Sequence, residues 1–196
     1  MLKRCIDLAG AGIGSVLLSP VLLAIAAVIR LREGAPVLFR QERVGRDGEL
    51  FDILKFRTMR VGRPGDPEVT VAGDSRITGI GAVLRRTKLD ELPQLFNVLR
   101  GEMSLVGPRP EVSGYVAGWP EDARCVVLSV RPGMTDPASL EHFDEEEVLA
   151  SYADPLLAYR TVVTPRKLAM YQRYVETQSL LGDLRIILAT VRRTFS

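Results

Sequence analysis

The chain is short of sulfur and of imidazole, with two cysteines and one histidine in 196 residues. Cys5 and Cys125 lie far apart, so no disulfide framework is indicated and no zinc-ligand spacing exists. Reduced thiols on a cytosolic side are the simple reading. His142 sits in an acidic segment and reads as a surface residue rather than a catalyst. A strong net charge is also lacking. At +2 the chain does not look like a general nucleic-acid binder. There is no internal repeat and no long low-complexity segment. The length suits one compact domain with room for an appended element. Basic residues cluster near both ends of an apolar N-terminal stretch and in the C-terminal segment, a distribution that suits an anionic membrane surface.

That apolar stretch is the first positive signal. From Leu8 to Ile29 there is no charge, a run long enough to cross a bilayer as a helix. Three readings compete: a signal peptide, a plain spanning helix and a re-entrant hairpin. Lys3 and Arg4 before an apolar run and the small residues Ala24–Ala27 suit a signal peptide; Asp7 and Pro20 do not. A spanning helix prefers its cations on one side, yet Lys3 and Arg4 precede the run and Arg30 and Arg32 follow it. Pro20 removes a backbone hydrogen bond near the middle, and Ser19 is placed to satisfy a carbonyl so freed. The hairpin is the favoured expectation, with residues 1–32 as a re-entrant membrane helix and 33–196 as a cytoplasmic catalytic domain.

The densest chemistry lies in LRRTKLDELPQLFNVLRGEMSLVGPRP, Leu84–Pro110. Cations Arg85, Arg86 and Lys88 precede adjacent carboxylates Asp90 and Glu91. Leu89, Leu92, Leu95, Phe96 and Leu99 recur at helical spacing. Thr87 and Asp90 have capping-box-like spacing, and Pro93 fits a first turn. Both carboxylates would then sit at the positive end of a helix dipole, which favours their ionised form and attracts phosphate. Neighbours on a helix point different ways, so the two acids should have different jobs. Asp90 could be a metal ligand or a nucleophile. Pro108 and Pro110 hold Arg109 rigidly between them. Fixed carboxylates and a fixed arginine suit phosphate chemistry with a metal. Alone, however, an Asp-Glu pair beside cations is usually a solvated first turn, and Pro-Arg-Pro a stiff loop.

Elsewhere, Val37–Phe39 and Phe51–Phe56 around the turn Arg46-Asp47-Gly48 predict a β-hairpin. Lys55 and Arg57 alternate with Phe56 and share a side, as a wet strand face or as a phosphate contact. Arg63–Glu68 is a loop candidate, and Asp74, Arg76 and Thr78 either line a site or start the next helix. A helix is expected around Glu111–Ala117 and a strand over Cys125–Val130. Asp144–Glu147 reads as a solvated helix start rather than a metal cluster. Pro165 should start a helix through Tyr174. Leu180, Leu181, Leu184, Ile187, Leu188 and Val191 form a stripe for core packing or for a membrane interface. The expected class is α+β, mainly helical with a small sheet.

KFRTM (Lys55–Met59), DSRIT (Asp74–Thr78), the long central motif and RPGMT (Arg131–Thr135) together resemble the bacterial sugar transferase family, the monotopic phosphoglycosyl transferases. The order and spacing also match, over nearly the whole chain. The resemblance implies transfer of a sugar phosphate from a nucleotide sugar, usually a UDP sugar, to polyprenol phosphate, with release of UMP and a requirement for Mg²⁺. It implies a first membrane step of bacterial glycan assembly at the cytoplasmic face of the inner membrane. It places the nucleophile at Asp90, with Glu91 managing a proton or sharing the metal with Asp90. Arg109, between Pro108 and Pro110, and Arg85, Lys55 and Arg57 become phosphate-contact candidates. Lys3-Arg4 match the family's membrane-anchoring pair and Ser19-Pro20 its helix break. Expected partners are a UDP sugar, polyprenyl phosphate and membrane lipids; a homodimer stays open, as does a non-enzymatic role as the membrane-anchored partner of a glycan assembly complex. Relatives carry a Gly-Leu-Ala-Gln-like continuation after the turn, where this chain has TDPASLEHFDEEE. Sugar selectivity therefore does not carry over.

Overall fold

The computed structural model describes residues 2–60, 74–137, 149 and 151–194. Two helices open the chain, α1 (Leu2–Leu17) and α2 (Ser19–Arg32), bent by 60° where they meet. The cause is local. Pro20 cannot donate to the carbonyl of Val16, and the Ser19 hydroxyl donates to it instead at 2.7 Å. No single helix among the described residues is long and apolar enough to cross a membrane, though the bent pair together is.

The pair is built inside out. Ile13, Val16, Leu17, Leu23 and Leu31 are exposed, while Asp7 is buried. Its carboxylate accepts from Ser104 Oγ at 2.8 Å and from the Leu105 amide at 3.1 Å. Lys3 and Arg4, expected as membrane anchors, both have protein partners. Lys3 Nζ donates to Asp183 at 2.6 Å and to the Val106 carbonyl at 3.1 Å. The Arg4 guanidinium donates to the carbonyls of Val98 and Met103, capping the end of a later helix. At the far end Arg57 donates to the carbonyls of Glu33 and Gly34, closing α2 onto the following strands. Ala11 packs with Phe51, Leu95, Val98 and Met103, and Ile29 packs with Phe56 and Leu84. The apolar stretch thus shares two hydrophobic clusters with the rest of the chain.

The expected hairpin forms from β1 (Leu38–Val44) and β2 (Leu50–Phe56), antiparallel, with Arg40 opposite Leu54. The free edge of β2 is closed by one side chain. Asn97 Oδ1 accepts from the Leu54 amide at 3.0 Å, and Asn97 Nδ2 donates to the Asp52 carbonyl at 2.7 Å. An amide with both a donor and an acceptor replaces a neighbouring strand there.

Helix α3 (Gly79–Arg86) starts at Thr78, whose hydroxyl accepts from the Gly81 amide at 2.9 Å. Thr87 does not cap the next helix. It ends α3, donating to the Val83 carbonyl, and Lys88 turns the chain in the left-handed region at φ 54°. The single helix expected from Leu89 onward is divided: a 3-10 turn spans Leu89–Glu91, and α4 runs Gln94–Arg100. Pro93, with no N–H to bond back to Leu89, marks the break.

Strand β3 (Ser104–Val106) follows, then α5 (Ser113–Val116), α6 (Glu121–Leu128) and β4 (Gly133–Thr135). The strand expected over Cys125–Val130 is largely α6 instead. Acidic Glu121 and Asp122 follow Pro120 in its first turn, and Ala123 and Val127 bury one helical face. β3 and β4 pair in parallel, Ser104 with Gly133 and Val106 with Thr135. A Cβ at Gly107 or Gly133 would collide with the other segment's backbone, so only glycines permit this approach.

A short helix, α7 (Pro155–Ala158), runs through a π-turn into α8 (Thr164–Thr177), and α9 (Leu180–Thr194) ends the chain. The stripe expected on α9 is largely exposed, at Leu180, Leu181, Leu184, Leu188 and Val191; Ile187 alone of it packs against the core, beside Ile186, Val106 and Tyr174. The class is α+β, mainly helical, with two two-stranded sheets among the described residues. Arg63–Glu68, His142 and Asp144–Glu147 lie outside the described residues.

Candidate active site

Asp90, Glu91, Lys55, Arg85, Arg57 and Arg109 all line one open cleft of about 2240 Å³. Gly10, Gly14 and Leu18 of the helix pair also line it, with Leu105 and Met134, so the lining combines charged and apolar groups.

The two carboxylates have different surroundings, as neighbours in a tight turn must. Glu91 is fully engaged. Its Oε1 accepts from Lys55 Nζ at 3.0 Å and from Arg109 at 2.5 Å, and its Oε2 lies 3.4 Å from the second Arg109 nitrogen. Burial pushes Glu91 up, but Arg109 and Lys55 outweigh it and hold the carboxyl well below the usual range. Glu91 in turn holds the Arg109 guanidinium in its charged form. Lys55 is pulled down by burial and by Arg109.

Asp90 is the opposite case. It is 7% exposed, and its Oδ1 is buried without a hydrogen-bond partner. Burial and the adjacent Glu91 raise its pKa, and Lys55, Lys88 and Arg85 offset this only in part. The dipole-stabilised, comfortable carboxylate expected from the sequence is not what the fold provides, because the 3-10 turn ends before α4 begins. An anion here is poorly solvated, which makes it more reactive toward an electrophile.

The rigidity of Pro-Arg-Pro comes from backbone contacts on both sides. The Pro108 carbonyl accepts from the Gly133 amide at 2.9 Å, and the Pro110 carbonyl accepts from Arg43 at 3.2 Å. Behind it lies a buried cluster centred on Glu111, whose Oε1 accepts from Lys167 Nζ at 2.9 Å and from the Tyr159 hydroxyl at 2.7 Å. Arg57 lines the cleft, but its guanidinium is engaged on α2 rather than on the carboxylates. Asp74 is paired with Arg76 at 2.6 Å. Glu111, Arg43, Lys167 and Tyr171 were not singled out from sequence. The available signal was Lys167 sharing a helical face with Tyr171 and Tyr174, a lysine at a core-facing position.

Among the described residues no group of three or more His, Cys, Asp or Glu side chains could hold a metal alone. Glu91 has both oxygens engaged and does not fit as a ligand in this arrangement. The unpartnered Asp90 oxygen does fit a cation that takes most of its ligands from substrate phosphate and water, as Mg²⁺ does.

A buried, unpartnered carboxylate in the same cleft as a fixed guanidinium, with apolar groups in the lining, suits group transfer at a phosphate. The chain belongs to the bacterial sugar transferase family, whose model matches residues 1–196. It is 40% identical, over 96% of its length and 68% of the relative's, to a UDP-glucose:undecaprenyl-phosphate glucose-1-phosphate transferase of Caulobacter vibrioides. It is 38% identical, over 97% of its length and 94% of the relative's, to the exopolysaccharide production protein PSS of Rhizobium leguminosarum bv. phaseoli. A UDP-N-acetylgalactosamine-undecaprenyl-phosphate N-acetylgalactosaminephosphotransferase of Aeromonas hydrophila is 36% identical over 97% of the chain, which spans 43% of that relative.

Proposed function

We propose that this enzyme transfers a sugar 1-phosphate from a UDP sugar to undecaprenyl phosphate, releasing UMP and forming a polyprenyl diphosphate sugar. The observation that carries the reading is the division of labour in the dyad: Glu91 neutralised by Lys55 and Arg109, Asp90 buried and unpartnered. Asp90 attacks the β-phosphorus of the donor, the bond to the UMP oxygen breaks, and UMP leaves. The sugar phosphate stays on Asp90 as an acyl phosphate. The phosphate of the lipid then attacks the same phosphorus and frees the Asp90 carboxylate. Arg109 holds the transferred phosphate with its planar fork, exchanging part of its contact with Glu91 for phosphate oxygens. Lys55 and Arg85 supply further positive charge along the diphosphate. Asp90 would help to hold Mg²⁺ together with the substrate phosphates, and the ion would supply neutralisation of substrate charge.

The helix pair is read as a re-entrant hairpin on the cytoplasmic face of the inner membrane. Its inside-out pattern supports this, since an apolar exterior around a buried acid has no reason to exist in water. The exposed leucines of α9 fit the same lipid interface. UMP release with a panel of UDP sugars, with and without undecaprenyl phosphate, tests the reaction. No release from any of them would reject it.

A further inference from the structure

The loop that carries Arg109 is fastened on both sides, and the two sides differ. Upstream the ties run from backbone to backbone: the Gly107 amide donates to the Thr135 carbonyl at 3.1 Å, and the Pro108 carbonyl accepts from the Gly133 amide at 2.9 Å. Downstream the tie is a buried charge. Glu111 is 8% exposed, and donors from three elements meet on its carboxylate. Lys167 on α8 and Tyr159, which opens the π-turn, donate to Oε1 at 2.9 and 2.7 Å, and Arg43 on β1 donates to Oε2 at 3.4 Å. The Glu111 carbonyl accepts from the Val44 amide at 2.9 Å, and Arg43 also donates to the Pro110 carbonyl at 3.2 Å. Residues 110 and 111 are therefore held through backbone and side chain together.

Docking of α8 does not by itself call for this arrangement. Leu168 and Tyr171 of that helix already pack with Val44, Trp119 and Val127. Apolar contacts hold a helix at least as well as a buried ion pair, which costs desolvation. What the cluster adds is a fixed orientation at residue 111. Pro110 passes that orientation on, because its ring sets its own φ and restricts the backbone of Arg109. The Arg109 side chain bonds Glu91 and is 34% exposed. When it exchanges part of that bond for phosphate, its aim depends on the backbone that carries it. Resting on the reaction above, we propose that Glu111 is a positioning residue: anchored by Lys167, Tyr159 and Arg43, it holds the Arg109 backbone so that the guanidinium passes from Glu91 to phosphate in register.

The test is a pair of double-mutant cycles on the full-length protein. Glu111→Gln keeps the size of the side chain and removes its charge. It should lower kcat/KM for UMP release by roughly ten- to hundredfold, the cost of a small misplacement of a binding group. In the Arg109→Lys background the same change should cost about twofold or less, because the fork it aims is already gone. Tyr159→Phe keeps the ring in its apolar cluster and removes one donor. It should repeat the pattern at roughly three- to tenfold, and it carries the test should Glu111→Gln not fold. The second cycle reads melting temperature and needs no turnover. Glu91→Gln should cost fewer degrees when Glu111→Gln or Tyr159→Phe is also present, since a loosened Arg109 has less of its bond to Glu91 to lose. A merely structural Glu111 would multiply the rate losses and add the melting losses. Either result overturns the assignment, as does unchanged kcat/KM in both variants. Absence of UMP release by the unmodified enzyme would reject the reaction instead, while the melting cycle still decides whether Glu111 positions Arg109.

Discussion

The dyad makes a sharp thermodynamic prediction, because two adjacent carboxylates should respond to neutralisation with opposite sign. Asp90 is buried, unpartnered and raised in pKa by burial and by Glu91. Its ionised form therefore destabilises the folded chain. Asp90→Asn removes the charge but still buries an amide, so the expected gain is about 1 kcal/mol, from an unpaired-group cost of about 1–3 kcal/mol and more for an ion. For a chain of this size that is a rise of roughly 2–4 °C in melting temperature. Glu91→Gln leaves Lys55 and Arg109 without their shared counter-charge, and breaking such a buried pair costs about 3–5 kcal/mol. Because the Arg109 side chain is 34% exposed and water can recover part of its solvation, the lower end applies. The pH dependence follows with its sign. A carboxyl raised in the fold carries no penalty below its unfolded pKa and the full penalty above its folded one. The advantage of Asp90→Asn over the unmodified chain should thus be absent in acid and grow as pH rises through the folded pKa of Asp90. Glu91 is depressed, so its contribution persists down through the ordinary carboxylate range and is lost only below it. Thermal melting of the three proteins in one detergent across pH provides the assay. A loss of stability in Asp90→Asn at neutral pH, or no loss in Glu91→Gln, refutes the electrostatic reading of the site.

With UDP sugar but no lipid, the enzyme should release at most about one UMP per active site and retain labelled sugar on the Asp90 peptide after denaturation; UMP appearing only with lipid would rule out the two-step route. Arg109→Lys keeps the charge but loses the fork, and a loss of about 1.5–3 kcal/mol corresponds to one to two decades in kcat/KM; near-normal turnover in folded protein would remove that role. Single cysteines at Lys3 and Arg32, with Cys5 and Cys125 replaced, should both be shielded from an impermeant reagent in intact cells and both be labelled once the membrane is opened. Labelling of one alone in intact cells would establish a spanning helix.

Much of this was legible in the residues, and the misses have physical causes. The β-hairpin, the helix break at Ser19-Pro20 and the last two helices follow from turn chemistry and periodicity, which are local signals. The strand read into Cys125–Val130 failed because β-propensity was outweighed by an acidic helix start and by Ala123 and Val127 sharing a buried face. The capping reading of Thr87 failed because Lys88 reverses the chain first. The residues of the dyad and their separate roles were visible, but which acid is neutralised was not. That Glu91 is neutralised by Lys55, 36 residues away, and by Arg109, 18 residues away, is a property of the closed fold. Glu111 and Lys167 lie 56 residues apart and become a pair only when α8 docks.

The buried acid of α1 also sets an order of assembly. Ser104 and Leu105, which satisfy Asp7, are 97 and 98 residues downstream. At a synthesis rate of about 5–20 residues per second, the first helix waits about 5–20 seconds for them. On the membrane reading, that wait is passed among lipid headgroups with an acid that has nowhere to go. Lys3, one turn earlier and 4.0 Å from Asp7, is a counter-charge available from the start. Its closer contact is with Asp183, 180 residues downstream. The lysine that shields the nascent helix thus becomes the clasp that fastens it to the finished enzyme. A chain stopped before α9 would keep Lys3 on its first partner and leave the helix pair undocked at that end.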